Sequence, residues 1–270
     1  MNIPFFHLAM GAYALGAFGY IVFILKPAIP RIAFFSRWTA VAGFLFHLGY
    51  FLSRWIESGR IPITSFFEAA NFLGMGIVLV FLLMEFRFAI AALGSFVLPL
   101  VLILMLPVLP ASSAINYVNP LLASGWLGVH TSLTILGDAA FAFSFIVSLM
   151  YLIQERQLKA RHHGILFDRL PSLEMMDTLS YRALVLGWPL FTLGMFAGAV
   201  WGSKVWGAAW SWGLKETWSI ATWLVYLLIL HLRSMKWRGR KMACMSIIGF
   251  IFVIINFYVI SRIPMGKHTF

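Results

Sequence analysis

Stretches of about twenty apolar residues recur along the whole chain, and nothing else in it constrains the fold as hard. In lipid every backbone N–H and C=O needs an internal partner, so a spanning element is a helix or a strand of a closed barrel. Barrel strands alternate polar with apolar residues, and runs such as IAALGSFVLPLVLILML do not. About twenty helical residues cross a hydrocarbon core about 30 Å thick. Only 11% of the 270 residues are charged and the mean hydropathy is +0.90, whereas soluble domains run near ~25% charged. The expected fold class is therefore all-α, a polytopic transmembrane helical bundle of about eight spans. These fall at 4–26, 36–56, 70–86, 88–108, 126–153, 183–203, 218–233 and 242–262. Residues 1–270 read as one integral membrane domain, with no segment suited to a soluble core of its own.

Charge orients the bundle. The formal net charge is +11, from 20 Lys and Arg against 9 Asp and Glu. In a soluble chain that balance points to nucleic acid. Among apolar spans it reflects basic residues retained on the cytoplasmic side, and no nucleic-acid partner is expected. Arg54, Arg60, Lys204, Lys215, Arg262 and Lys267 fall on one side, and the remaining fourteen of the 20 basic residues on the other. The positive-inside rule makes the fuller side cytoplasmic. Both termini, the 57–69 and 109–125 connections and the tryptophan-rich segment at about 201–218 then face outward. The inner connections QERQLKARHHGILFDRLPSLEMMD and RSMKWRGRK read as topology signals in contact with membrane lipid headgroups. The opening MNIPFFHLAMGAYALGAFGYIVFIL lacks the basic start and small-residue cleavage site of a signal peptide and reads as the first span. A single cysteine, Cys244, allows neither an internal disulfide nor a cysteine metal cluster.

The segment WGAAWSWGLKETW, residues 206–218, holds Trp206, Trp210, Trp212 and Trp218. An interfacial anchor belt places aromatics at both boundaries, and no other connection here approaches this density. The segment therefore reads as a platform for a large flat ligand, with some indoles still serving as anchors. Trp206 and Trp210 stand four apart, so a helical turn would put them on one face.

Histidine inside a span is costly unless it is paired or lines a cavity. Taken singly, each is a hydrogen-bonded packing residue. His130 near the outer end of the fifth span and His268 in the outer tail share their side with the tryptophans. Two imidazoles flanking an aromatic platform suit a bis-histidine haem. His47, midway along the second span, and His231, near the inner end of the seventh, form a weaker second pair whose depths do not match. His7 reads as an interface residue and His162–His163 as solvated loop. Asp138, about two turns below His130, is expected to pair structurally with a buried polar group, its other reading being to tune or orient a ligand.

At these motifs the chain resembles a known family. WGAAWSWGLKETWSIATWLVYLLILHLR resembles the tryptophan-rich WWD signature of the cytochrome c assembly family, which includes the CcsA/ResC proteins of System II and the CcmC and CcmF proteins of System I. GRIPITSFFEAANFLGMGIVLVFLLME is similar to the family's second external loop and following helix, GVHTSLTILGDAAFAFSFIVSLMYLIQER to its histidine-bearing helix, and MGKHTF to its terminal external histidine motif. The likeness covers most of the chain from about residue 41, and its length fits a short CcsA-type member.

The resemblance implies haem b (iron protoporphyrin IX) carried to the outer face of a bacterial cytoplasmic membrane and presented to apocytochrome c with its CxxCH motif, as a component of a cytochrome c haem lyase. His130 and His268 match the two axial ligands of the external haem, His231 a transmembrane histidine, and His47 a second transmembrane position. The resemblance also implies a CcsB/ResB-type membrane partner. Lys204, Lys215 or Arg54 would neutralise the haem propionates. One departure stands out: where the family reads Trp-x-Trp-Asp-Pro-Lys-Glu, this chain has Gly213 for the aspartate and Leu214 for the proline. Two alternatives stay open, a HemX-like regulator of tetrapyrrole synthesis and a permease for another small molecule.

Overall fold

The computed structural model describes residues 3–26, 29, 31–109, 124–161 and 164–260. His268, His162 and His163 lie outside the described residues. Eight α-helices account for nearly all of it: α1 (Ile3–Leu25), α2 (Arg31–Ser58), α3 (Phe66–Phe88), α4 (Gly94–Met105), α5 (Gly125–Lys159), α6 (Leu173–Trp206), α7 (Leu214–Ser234) and α8 (Arg240–Ile254). Among the described residues there is no strand. All eight expected spans are present as helices, and seven elements are long and apolar enough to cross a membrane. The exception is α7, which carries Lys215, Glu216, Thr217, Ser219, Thr222, His231 and Arg233. The chain is an integral membrane protein.

Local chemistry sets the helix ends. Ser65 and Glu68 form a reciprocal capping box at the start of α3, while Ser124 and Ser172 accept backbone N–H bonds at the starts of α5 and α6. The 35 and 34 residues of α5 and α6 exceed what a span requires, so both run past the apolar stretches that mark them in the sequence. The end of α8 widens into a π-helical segment, Ile255–Val259.

The helices pack mainly with chain neighbours, α1 on α2 and α5 on α6, and α5 also touches α3 and α8. The α5–α6 seam is built on small residues: a Cβ added at Gly137 would stand 3.0 Å from the Gly187 carbonyl oxygen, and one at Gly194 2.8 Å from the Thr134 nitrogen. Small residues let backbones approach where lipid supplies no hydrophobic drive between helices. Outward faces keep large apolar side chains exposed, among them Phe18, Ile56, Leu193 and Phe196.

Buried ionic groups pin both ends. At one end Glu68 accepts from Arg54 Nε at 2.8 Å and Arg60 Nη1 at 2.9 Å, and from the Thr64 and Ser65 amides. At the other, Glu85 accepts from Tyr20 Oη at 2.6 Å and Arg37 Nε at 3.2 Å, and Asp177 takes a two-pronged bond from Arg233 at 2.9 and 2.6 Å.

Candidate functional site

A cleft opens at the end of the bundle marked by Glu68, where α5, α6, α7 and the π-segment converge. It contains about 1340 Å³ of space unoccupied by atoms, open solvent at its mouth included. His130 contributes from α5, Trp201 and Trp206 from α6, Trp210 from the connection, and Lys215 and Glu216 from the start of α7.

His130 is set by α6. Its Nδ1 lies 2.7 Å from the Gly194 carbonyl oxygen, which accepts only, so Nδ1 carries the hydrogen and the lone pair is on Nε2. Metal-ligating histidines usually donate their other ring N–H to a backbone carbonyl, a carboxylate or water. The ring fits only because α6 has no side chain at Gly198: a Cβ there would stand 2.6 Å from Nδ1 and 2.8 Å from Cε1.

The tryptophan segment is not one helix. α6 ends at Trp206 because Gly207 takes the left-handed cap conformation, φ 71°. The shared helical turn expected for Trp206 and Trp210 is therefore absent, and an extended corner brings both into the cleft instead. Trp201, only 2% exposed, packs edge-on against Trp206 with ring centres 4.7 Å apart. It is the indole that site reasoning missed; its place in the segment at 201–218 was the available signal. Trp212 is 73% exposed and points away, while Trp218 donates from Nε1 to the Phe252 carbonyl at 3.1 Å and stacks on Phe252. Trp218 joins α7 to α8 rather than lining the cleft.

The corner is tied down by Glu216. Its carboxylate accepts from the Ser211 amide at 2.8 Å, from Ser211 Oγ at 3.0 and 2.9 Å, and from the Gly213 amide at 3.2 Å. Gly213 is the N-cap of α7, with φ −62° and ψ 162°. The family aspartate would thus stand at an N-cap position, where a side-chain acceptor serves the helix start.

The remaining expected residues separate. His47 is buried at 1% exposure between α1 and α2, its Nδ1 3.3 Å from Tyr13 Oη. His231 is exposed on α7, which packs on α6 and α8, whereas α2 packs on α1 and α3. The two are not brought together, because the helices carrying them are not neighbours. Arg54 is committed to Glu68, and Lys204 lies over the Trp126 ring at 5.0 Å, so of the three cations Lys215 is the one in the cleft. Asp138 lines the cleft too, and its Oδ1 is buried with no hydrogen-bond partner, against the structural pairing expected for it.

A membrane bundle whose open end gathers an oriented histidine and three indoles is the class of protein these features define. The sequence model of the cytochrome c assembly protein family matches residues 35–268, and the chain belongs to that family. Within it the chain is of the CcsA type. The cytochrome c biogenesis protein CcsA of Prochlorococcus marinus (strain MIT 9301) is 34% identical over 244 residues, covering 81% of this chain and 79% of that protein. CcsA of Guillardia theta is 32% identical over 238 residues with the same coverage, and CcsA of Pyropia yezoensis 29% identical over 317, covering 100% and 99%. Among solved structures, the cytochrome c heme lyase CcmF superposes with a TM-score of 0.65 at 17% identity, over 95% of this chain and 45% of that one. That likeness is one of fold. The family places the chain in cytochrome c maturation.

Proposed function

We propose that the chain binds haem b in this cleft and presents it at the outer face of the membrane for attachment to apocytochrome c. The observation that carries the reading is His130, whose Nδ1 hydrogen is held by the Gly194 carbonyl so that Nε2 is the ligating nitrogen. The cleft chemistry fits the group. Trp201 and Trp206 offer apolar faces to a porphyrin, Lys215 a positive charge to a propionate, and Trp210 Nε1, a buried donor with no partner, a hydrogen bond to an acceptor on a ligand.

In this reading His130, together with His268, would hold the haem iron. When bound, the haem supplies the iron centre and the vinyl groups that become thioethers. The residues of this chain orient it: Glu216 fixes the corner carrying Trp210, and the α5–α6 seam fixes His130. Thiols of a CxxCH segment would approach from the cleft mouth. His231 is exposed on α7 and would meet a group brought by a CcsB/ResB-type membrane partner. His47 is enclosed by its own helices and is assigned to packing with Tyr13.

Deletion of the gene separates this from regulation of tetrapyrrole synthesis. Loss of covalent cytochrome c with unchanged haem precursors is the expected result. Altered precursor pools with normal cytochrome c would overturn the proposal.

A further inference from the structure

Asp138 lies on the same face of α5 as His130 and Thr134, deeper in the cleft. Steps of four and eight residues keep the three on one stripe, and at 1.5 Å per residue Asp138 stands about 12 Å along the axis from His130. The residue is 6% exposed and its Oδ1 has no hydrogen-bond partner. A buried carboxyl left in that condition in a native fold calls for an explanation. The π-helical segment beside it turns Asn256 and Phe257 toward the same space, and π-bulges are frequent at functional sites.

The other ionisable groups lining the cleft are His130 on α5 and Lys215 and Glu216 on α7, and Tyr226 of α7 interacts electrostatically with Asp138. From α3, α6 and the π-segment the cleft receives Phe66, Ala69, Phe191, Met195 and the uncharged Asn256 and Phe257. Among the described residues no cation is bonded to the Asp138 carboxyl, so the charge on it answers to whatever the cleft contains.

We propose that Asp138 is a redox-linked proton site, exchanging one proton with water in the cleft when iron held at His130 changes oxidation state. The inference rests on the haem reading above. A porphyrin iron with two neutral imidazoles carries one net positive charge when ferric and none when ferrous. The ferric state supplies a counter-charge to the Asp138 carboxylate, and reduction withdraws it. On reduction one electron from an external one-electron donor enters the iron and one proton from water enters the carboxylate; oxidation reverses both, and no other bond changes. Unit charges about 12 Å apart at an effective dielectric near 20 alter each other's equilibria roughly tenfold.

The test is a dithionite redox titration of the haem-loaded full chain in detergent across a pH series. The wild-type midpoint should fall from its acid to its alkaline plateau by about 59 mV in total, the one-electron equivalent of a tenfold change. Asp138→Asn, which mimics the protonated acid, should hold the acid-plateau value at every pH. Asp138→Glu should keep the dependence. Infrared difference spectra of the wild type should gain a carboxylic-acid C=O band on reduction, a readout that does not depend on the variants folding. A flat wild-type midpoint with haem bound, or an unchanged dependence in Asp138→Asn, overturns the proton site alone. A chain that takes up no haem overturns the haem reading and this inference with it.

Discussion

At the residue scale, the departure from the family motif has a structural account. Gly213 is the N-cap of α7, and glycine at an N-cap costs only a few tenths of a kcal/mol relative to the best capping residues. Gly213→Asp is therefore expected to raise the thermal midpoint slightly and leave any haem spectrum as it was. A spectrum that appears only with the aspartate would show that the family residue touches the ligand. Glu216 carries more: four acceptor contacts hold Ser211 and Gly213, and Trp212 between them adopts φ 56°, a conformation non-glycine residues seldom take. Hydrogen bonds to a charged group are worth about 1.5–3 kcal/mol when shielded, and less at this half-exposed site. Glu216→Ala should lower the detergent melting temperature and weaken haem retention together. The four tryptophans were legible as a cluster, but not which of them face inward. That depends on Gly207 ending α6, a backbone event to which the i, i+4 rule is blind.

At the scale of elements, the α5–α6 seam sets the site. A methyl at Gly198 would collide with the imidazole of His130, so Gly198→Ala should displace the ring from the Gly194 carbonyl. We expect loss of haem binding with helical circular dichroism unchanged. Gly137→Ala, meeting the Gly187 carbonyl oxygen and Phe191 at 3.0 Å, forces the helices apart. Overpacking of that kind costs about 1–3 kcal/mol, visible as a lower melting temperature. The spans themselves were legible because apolar length alone decides them. Their ends were not: α5 continues six residues past its expected limit and α6 starts ten before, both through polar sequence that a hydropathy reading assigns to loops. The expected span at 218–233 forms α7, packed on α6 and α8, although α7 alone falls short of the apolarity of the other seven.

At the scale of the whole molecule, alternating helices carry His130, the indoles and Lys215 to one end and leave Arg37, Glu85, Asp177 and Arg233 at the other. Sequence anticipated this division from the succession of spans. It could not anticipate that His47 and His231 sit on helices that do not pack together, since depth along a span says nothing of which spans are neighbours. Glu68 is the buried anchor of the cleft end, and Glu68→Gln removes the carboxylate that Arg54 and Arg60 share. Breaking a buried ion pair from one side costs about 3–5 kcal/mol, so that variant should be among the least heat-stable. The central claim is ligation of haem by His130. The most direct measurement is the oxidised and reduced absorption spectrum of purified protein, wild type beside His130→Gly, with and without added imidazole. The account expects a b-type spectrum in the wild type, its loss or marked change in the variant, and its recovery when imidazole enters the space the side chain vacates. A colourless wild type under abundant haem, or a variant spectrum identical to it, would contradict the account.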